Sequence, residues 1–179
     1  MNPVDQAVLE LMQSIHHPLL EEIMLIITHA ASYTVLFLIL LLLIYSKKKE
    51  LSLNMFVGLL IEGIIIIILK EAITRPRPMT RNLSPKASFP SGHSSRSTYL
   101  AFLFQREWNL KILWFSLASL VIFSRLYLQV HYFTDVVGGA IIGYLIYLLV
   151  MKYDLGVRAY RKTVKRAPFI KKIINLEEH

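Results

Sequence analysis

Two histidines, one carboxylate and a set of cations are placed where they could act on a single anion. His131 and Asp135 are four residues apart, so on a helix they share one face and the carboxylate can fix the imidazole tautomer and stabilise the ring as it becomes cationic. A plain salt bridge at a helix end is the competing account of that pair. Pro90, Ser91, Gly92 and His93 follow a proline-broken stretch and open a helix. Its free backbone amides and dipole would favour an anion, and Gly92 would let the backbone approach closely. His93 on that first turn could give a proton to a leaving oxygen. Lys70, Arg77 and Arg125 come from three separate regions of the chain. Three cations converging in low dielectric require an anion with several acceptor oxygens, and a phosphoryl group fits. Snorkelling to an interface accounts for Lys70 but poorly for Arg125, which sits between apolar runs. One acid among so many cations is a poor metal site, so no metal and no cofactor is expected.

These residues need elements that bring them to one depth, and the composition says what those elements are. The chain has 179 residues, 55% hydrophobic, with a net charge of +8 and no cysteine. It is too apolar for an ordinary soluble domain, and thiolate chemistry and disulfides are excluded. Residues 23–45 contain no Asp, Glu, Lys or Arg over 23 positions, about 34 Å of helix and enough to cross a bilayer. Residues 51–69 form a second run broken only by Glu62, and 98–104 a weaker third whose polar start, 91–97, must face protein or water. Residues 112–151 are 40 positions, about 60 Å if helical, so they fold back once, with Arg125 to Asp135 as the turn. The expected architecture is an all-α transmembrane bundle of five to six spans. Its parts are an amphipathic amino-terminal segment at 1–22 that lies at the interface or forms a lid, a membrane domain at 23–151, and a basic tail at 152–179.

The cations then set orientation. Lys47, Lys48, Lys49, Arg106, Lys111 and eight basic residues from Lys152 to Lys172 fall on one side, which the positive-inside rule makes cytoplasmic. The candidate chemistry lies on the other. The same placement accounts for the positive charge without nucleic acid, and the tail reads as a segment lying on anionic lipid. Arg75, Arg81 and Lys86 are further outer-side cations that could hold a second phosphate or a head-group. Glu62 is expected to pair with Arg96 or a tyrosine, and Gly139 and Gly143 to form a small-residue packing face. His16, His17 and His29 have no acidic or cysteine partners at metal-ligand spacing and read as interfacial or packed.

Taken together, Lys70-x6-Arg77-Pro78, Pro90-Ser91-Gly92-His93 and Ser124-Arg125-x5-His131-x3-Asp135 resemble the three-part signature of the type-2 phosphatidic acid phosphatase family. Its soluble relatives include bacterial acid phosphatases and vanadium-dependent haloperoxidases. The resemblance spans Lys70 to Asp135 and implies roles at the matching positions. Lys70, Arg77, Ser91, Gly92, Ser124 and Arg125 would hold the phosphate. His131 would attack phosphorus, Asp135 would orient it, and His93 would protonate the leaving lipid oxygen and then activate water. The implied activity is metal-independent hydrolysis of a lipid phosphate at the outer face of a cytoplasmic membrane, with a polyprenyl diphosphate as the first candidate. Phosphatidylglycerophosphate, phosphatidate and a lipid A phosphate are alternatives, as is phosphoryl transfer to another lipid. A non-catalytic anion or lipid transporter would leave the His131 and Asp135 pair unexplained, and a haloperoxidase would not need the membrane spans.

Overall fold

The computed structural model describes residues 1–29, 31–79 and 87–158, and among these seven helices carry the fold. They are α1 (Pro3–Ser14), α2 (Pro18–His29), α3 (Tyr33–Tyr45), α4 (Lys49–Ile73), α5 (Gly92–Trp108), α6 (Lys111–Tyr127) and α7 (Phe133–Lys152). By length and composition α4 and α7 can each cross a membrane, and a third span forms if α2 and α3, bent by 43°, act as one. At 17 residues each, α5 and α6 are about 26 Å long, close to a hydrocarbon core.

The run at 23–45, expected as one continuous helix, is broken between α2 and α3. The reason lies in its hydrogen bonds. The Ser32 side chain accepts from the Val35 amide at 3.4 Å, a helix-starting cap. The Ala31 carbonyl, which that amide would otherwise bind, accepts instead from Arg96 Nε at 3.1 Å. Likewise α1 and α2 are separate helices, and α2 starts at Pro18 inside the segment expected to be interfacial. Asn2 caps α1 by accepting from the Asp5 amide at 2.7 Å, and α1 packs across α6 and α7.

The central element is α5. Ser94, Ser95, Arg96, Ser97 and Thr98 on its first half are all buried, so the polar start of this helix faces protein. It packs chiefly on α7 and α6. A Cβ at Gly139 or Gly143 of α7 would collide with the backbone oxygens of Ser91 and Ser95, so the two backbones touch along the expected glycine face. Met55, Tyr99, Phe104, Ile146 and Val150 form the middle of the apolar core. The basic residues Lys47 to Lys49, Arg106, Lys111 and Lys152 lie where α3, α5 and α7 end and α4 and α6 begin. The candidate chemistry lies at the other ends of those helices.

Candidate active site

Each candidate residue is placed by the end of a helix. The carboxyl-terminal turn of α4 supplies Lys70, and the non-helical segment after it supplies Arg75 and Arg77. The first turn of α5 supplies Gly92 and His93 behind the cap residue Ser91, whose hydroxyl accepts from the Ser94 amide at 3.4 Å. The end of α6 supplies Ser124 and Arg125, the turn at 128–132 supplies His131, and the first turn of α7 supplies Asp135. One backbone bond, Ser91 N to the Asp135 carbonyl at 3.0 Å, ties the start of α5 to the start of α7.

His131 is buried, and its Nδ1 stands 3.7 Å from Asp135 Oδ2. That is an ion-pair distance and too long for a hydrogen bond. Nδ1 has no hydrogen-bond partner among the described residues. On the opposite edge of the ring, Arg77 Nη1 comes to 3.5 Å from Nε2 while donating to the Val130 carbonyl at 2.9 Å. Burial pushes the His131 imidazole down to about 4; Asp135 opposes this, and Arg125, Arg77 and Lys70 reinforce it. The ring is therefore neutral at neutral pH, with a lone pair available for attack. Burial also pulls the Arg77 guanidinium below its ordinary range, against the attraction of Asp135.

The three cations expected to form a phosphate cradle differ in their anchoring. Lys70 Nζ donates to the Ala87 carbonyl at 2.5 Å and to the Ser88 carbonyl at 3.4 Å. Arg125 Nη1 donates to Thr28 Oγ1 at 2.6 Å, and its buried Nε has no partner among the described residues. An unpartnered donor on a buried cation is costly unless an acceptor arrives, and a phosphoryl oxygen would supply one. Ser124 is fully buried, but its hydroxyl donates to the Val121 carbonyl at 2.7 Å, turning the proton back along its own helix.

His93 lies one turn before Arg96, whose Nη2 is 3.4 Å from Nδ1. A guanidinium can only donate, so Nδ1 accepts and the proton of the neutral ring sits on Nε2. Arg96 is also 3.5 Å from Glu62, which accepts from the Tyr33 hydroxyl at 3.2 Å, and it lies over the Tyr33 ring. The expected pairing of Glu62 with Arg96 and a tyrosine is thus met by both partners.

Arg75, one of the three outer cations considered for a second phosphate or a head-group, donates from Nη1 to Asp135 Oδ1 at 2.6 Å and to Thr134 Oγ1 at 2.7 Å, and from Nη2 to Asp5 Oδ2 at 2.6 Å. Asp5, buried on α1, has no counterpart in the sequence reading, where an acid in a first helical turn needs no further explanation. Arg81 and Lys86, the other two candidates for a second phosphate, lie outside the described residues, as does most of the 152–179 tail. His16 pairs with Glu21 at 2.8 Å. Among the described residues no three His, Asp or Glu side chains converge as a metal would require.

Comparison with known proteins agrees with this arrangement. The family model described as the PAP2 superfamily matches residues 51–158, a range that includes Lys70, Arg77, Ser91, Gly92, His93, Ser124, Arg125, His131 and Asp135. Phosphatidylglycerophosphatase B of Bacillus subtilis is 32% identical over 176 residues, covering 88% of this chain and 87% of that protein. A lipid A 4'-phosphatase of Porphyromonas gingivalis is 24% identical, covering 83% and 72% of the two chains. The crystal structure of the transmembrane PAP2-type phosphatidylglycerolphosphate phosphatase from Bacillus subtilis superposes with a TM-score of 0.73 at 30% identity, over 84% of each chain. That of Aquifex aeolicus LpxE superposes with a TM-score of 0.74 at 29% identity, over 83% of this chain and 94% of the other. On its helices, its signature residues and these likenesses, the chain belongs to the PAP2 superfamily and is a membrane-embedded lipid phosphate phosphatase.

Proposed function

We propose that this enzyme removes a terminal phosphate from a glycerolipid phosphomonoester, of the phosphatidylglycerophosphate kind, at the extracytoplasmic face and through a phosphohistidine at His131. The carrying observation is the placement of neutral, buried His131 between Asp135 at 3.7 Å and Arg77 at 3.5 Å. A bond forms from Nε2 to phosphorus as the bond to the lipid oxygen breaks, and Asp135 stabilises the ring as it becomes cationic. Lys70, Arg77, Arg125 and the first amides of α5 hold the phosphoryl oxygens. The lipid oxygen takes the proton of His93 Nε2, and the neighbouring Arg96 cation stabilises the ring that has given it up. Water then attacks phosphorus, returns a proton to His93 and releases inorganic phosphate and free His131.

A monoester is preferred to the polyprenyl diphosphate first considered because Arg75, one of three cations available for a second phosphate, is engaged with Asp5 and Asp135. The names of the relatives support the same substrate, or a lipid A phosphate as a second reading. The orientation is supported by the basic residues gathered at the helix ends opposite the site. The test is phosphate release, with chelator present, from phosphatidylglycerophosphate, phosphatidate, a lipid A phosphate and a polyprenyl diphosphate. Fastest turnover on phosphatidylglycerophosphate, with an acid-labile phosphoprotein absent from His131→Ala, is expected. Preference for the diphosphate, or an adduct that survives His131→Ala, would overturn the proposal.

A further inference from the structure

Asp5, Arg75 and Asp135 form a continuous chain of charge from the amino-terminal helix to the carboxylate beside His131. Arg75 is the middle member, with a carboxylate 2.6 Å from each terminal nitrogen and the Tyr132 ring 4.1 Å from its centre. Asp5 has a second set of partners. Its Oδ1 accepts from the Thr134 amide at 2.9 Å, and the Thr134 hydroxyl lies 2.9 Å from Oδ2. The Thr134 amide is one of the amino-terminal donors of α7 that have no partner within the helix, so α1 supplies a carboxylate to the end of α7 that carries Asp135. Both acids are fully buried. Burial tends to raise the Asp5 pKa, but the Thr134 and Arg75 hydrogen bonds outweigh it and hold the group below the ordinary carboxylate range. Arg75, despite its own desolvation, is held above its usual value by Asp5 and Asp135.

We propose that Asp5 is a positioning residue for the reaction, acting on the His131 and Asp135 pair through Arg75. Were Arg75 to face Asp135 alone, its full charge would oppose the attraction between that carboxylate and the cationic ring formed when His131 is phosphorylated. Asp5 takes up part of the guanidinium charge and fixes its two nitrogens, so Asp135 remains oriented by Arg75 while keeping its negative charge for His131. The amino-terminal helix thereby becomes part of the nucleophile's support, with Arg75 as the link.

The inference rests on His131 as nucleophile, so the experiment reads that first. Rapid-quench formation of the acid-labile phosphoprotein from phosphatidylglycerophosphate would be compared in wild type, His131→Ala, Asp5→Asn, Arg75→Met and the Asp5→Asn/Arg75→Met double variant. The Asp5→Asn change keeps a side-chain oxygen for the Thr134 amide, so helix capping is preserved, and replaces the oxygen that accepts from Arg75 with an uncharged NH2 donor. Accessibility of α1 to protease checks that the helix stays docked. The expected result is phosphorylation slowed by about ten-fold in Asp5→Asn with KM within about two-fold, and no further loss from Asp5→Asn in the Arg75→Met background, as for members of one ion-pair network. Phosphorylation at the wild-type rate in Asp5→Asn would overturn the proposal. So would a loss that is equally large without Arg75, or one that appears only with release of α1. Absence of any adduct in wild type, or its persistence in His131→Ala, would instead remove the phosphohistidine reading itself.

Discussion

Asp135 approaches His131 from the Nδ1 edge at 3.7 Å without closing a hydrogen bond, while its other oxygen is taken by Arg75. The carboxylate is thus held by Arg75 and faces His131 without closing on it, and the proposed mechanism requires that contact to tighten as the ring acquires charge. Asp135→Asn preserves shape and removes that charge. It is expected to lower kcat by about 10²-fold or more with little change in lipid binding, the signature of a group used mainly in the transition state. Steady-state kinetics beside a binding assay on the same variant check this; equal losses in both would contradict it.

The depressed pKa of His131, about 4, has a consequence for stability. The unfolded chain takes up a proton on this ring near 6.5 and the folded protein only near 4, so protonation favours the unfolded state between those values. The stability contribution is complete above about pH 6.5 and is lost as pH falls through about 4. The unfolding free energy of the substrate-free enzyme in detergent, followed from pH 7.5 to 4, should fall more steeply for wild type than for His131→Gln. Parallel curves would show that the ring is not held neutral by the fold.

Arg96 and Glu62 are both buried, 3.5 Å apart. Arg96→Met leaves the acid without its cation and should cost about 3–5 kcal/mol, whereas joining it to Glu62→Gln should recover most of the loss. Denaturation of the two single variants and the double variant tests the coupling, and simple additivity would argue against a pair.

Gly143 has no room for a side chain, since a Cβ there would strike the Ser95 carbonyl oxygen. Gly143→Val should destabilise the protein by about 1–3 kcal/mol through overpacking. It should also lower kcat, because α7 moves away from α5 and strains the Ser91 to Asp135 backbone bond of 3.0 Å. Thermal unfolding together with turnover measures both effects.

Much of the site was legible because its residues are costly elsewhere. A cation such as Arg125 between apolar runs, or an acid such as Glu62 within one, has few bland explanations, and the Glu62 pairing was readable from depth alone. Asp5 was not legible, because a first-turn acid is ordinary and its partners lie 70 and 129 residues away in sequence. The ties of Arg75 to Asp5 and Asp135 were hidden for a related reason: a cation beside a cradle looks like a ligand for anions until the carboxylates that hold it are located. The break between α2 and α3 also escaped. Hydropathy is blind to a carbonyl such as that of Ala31, which leaves its helix to accept from Arg96.

The contact of α7 on the backbone of α5, made through Gly139 and Gly143, sets the two helices against each other at those positions by main-chain atoms of Ser91 and Ser95. Spacing there is fixed by main-chain atoms, which neither change rotamer nor shrink. Substitutions on the exposed apolar faces of α4 and α7 leave that spacing untouched, so the distance between the helix ends that carry Ser91 and Asp135 is held from the backbone rather than from the surface.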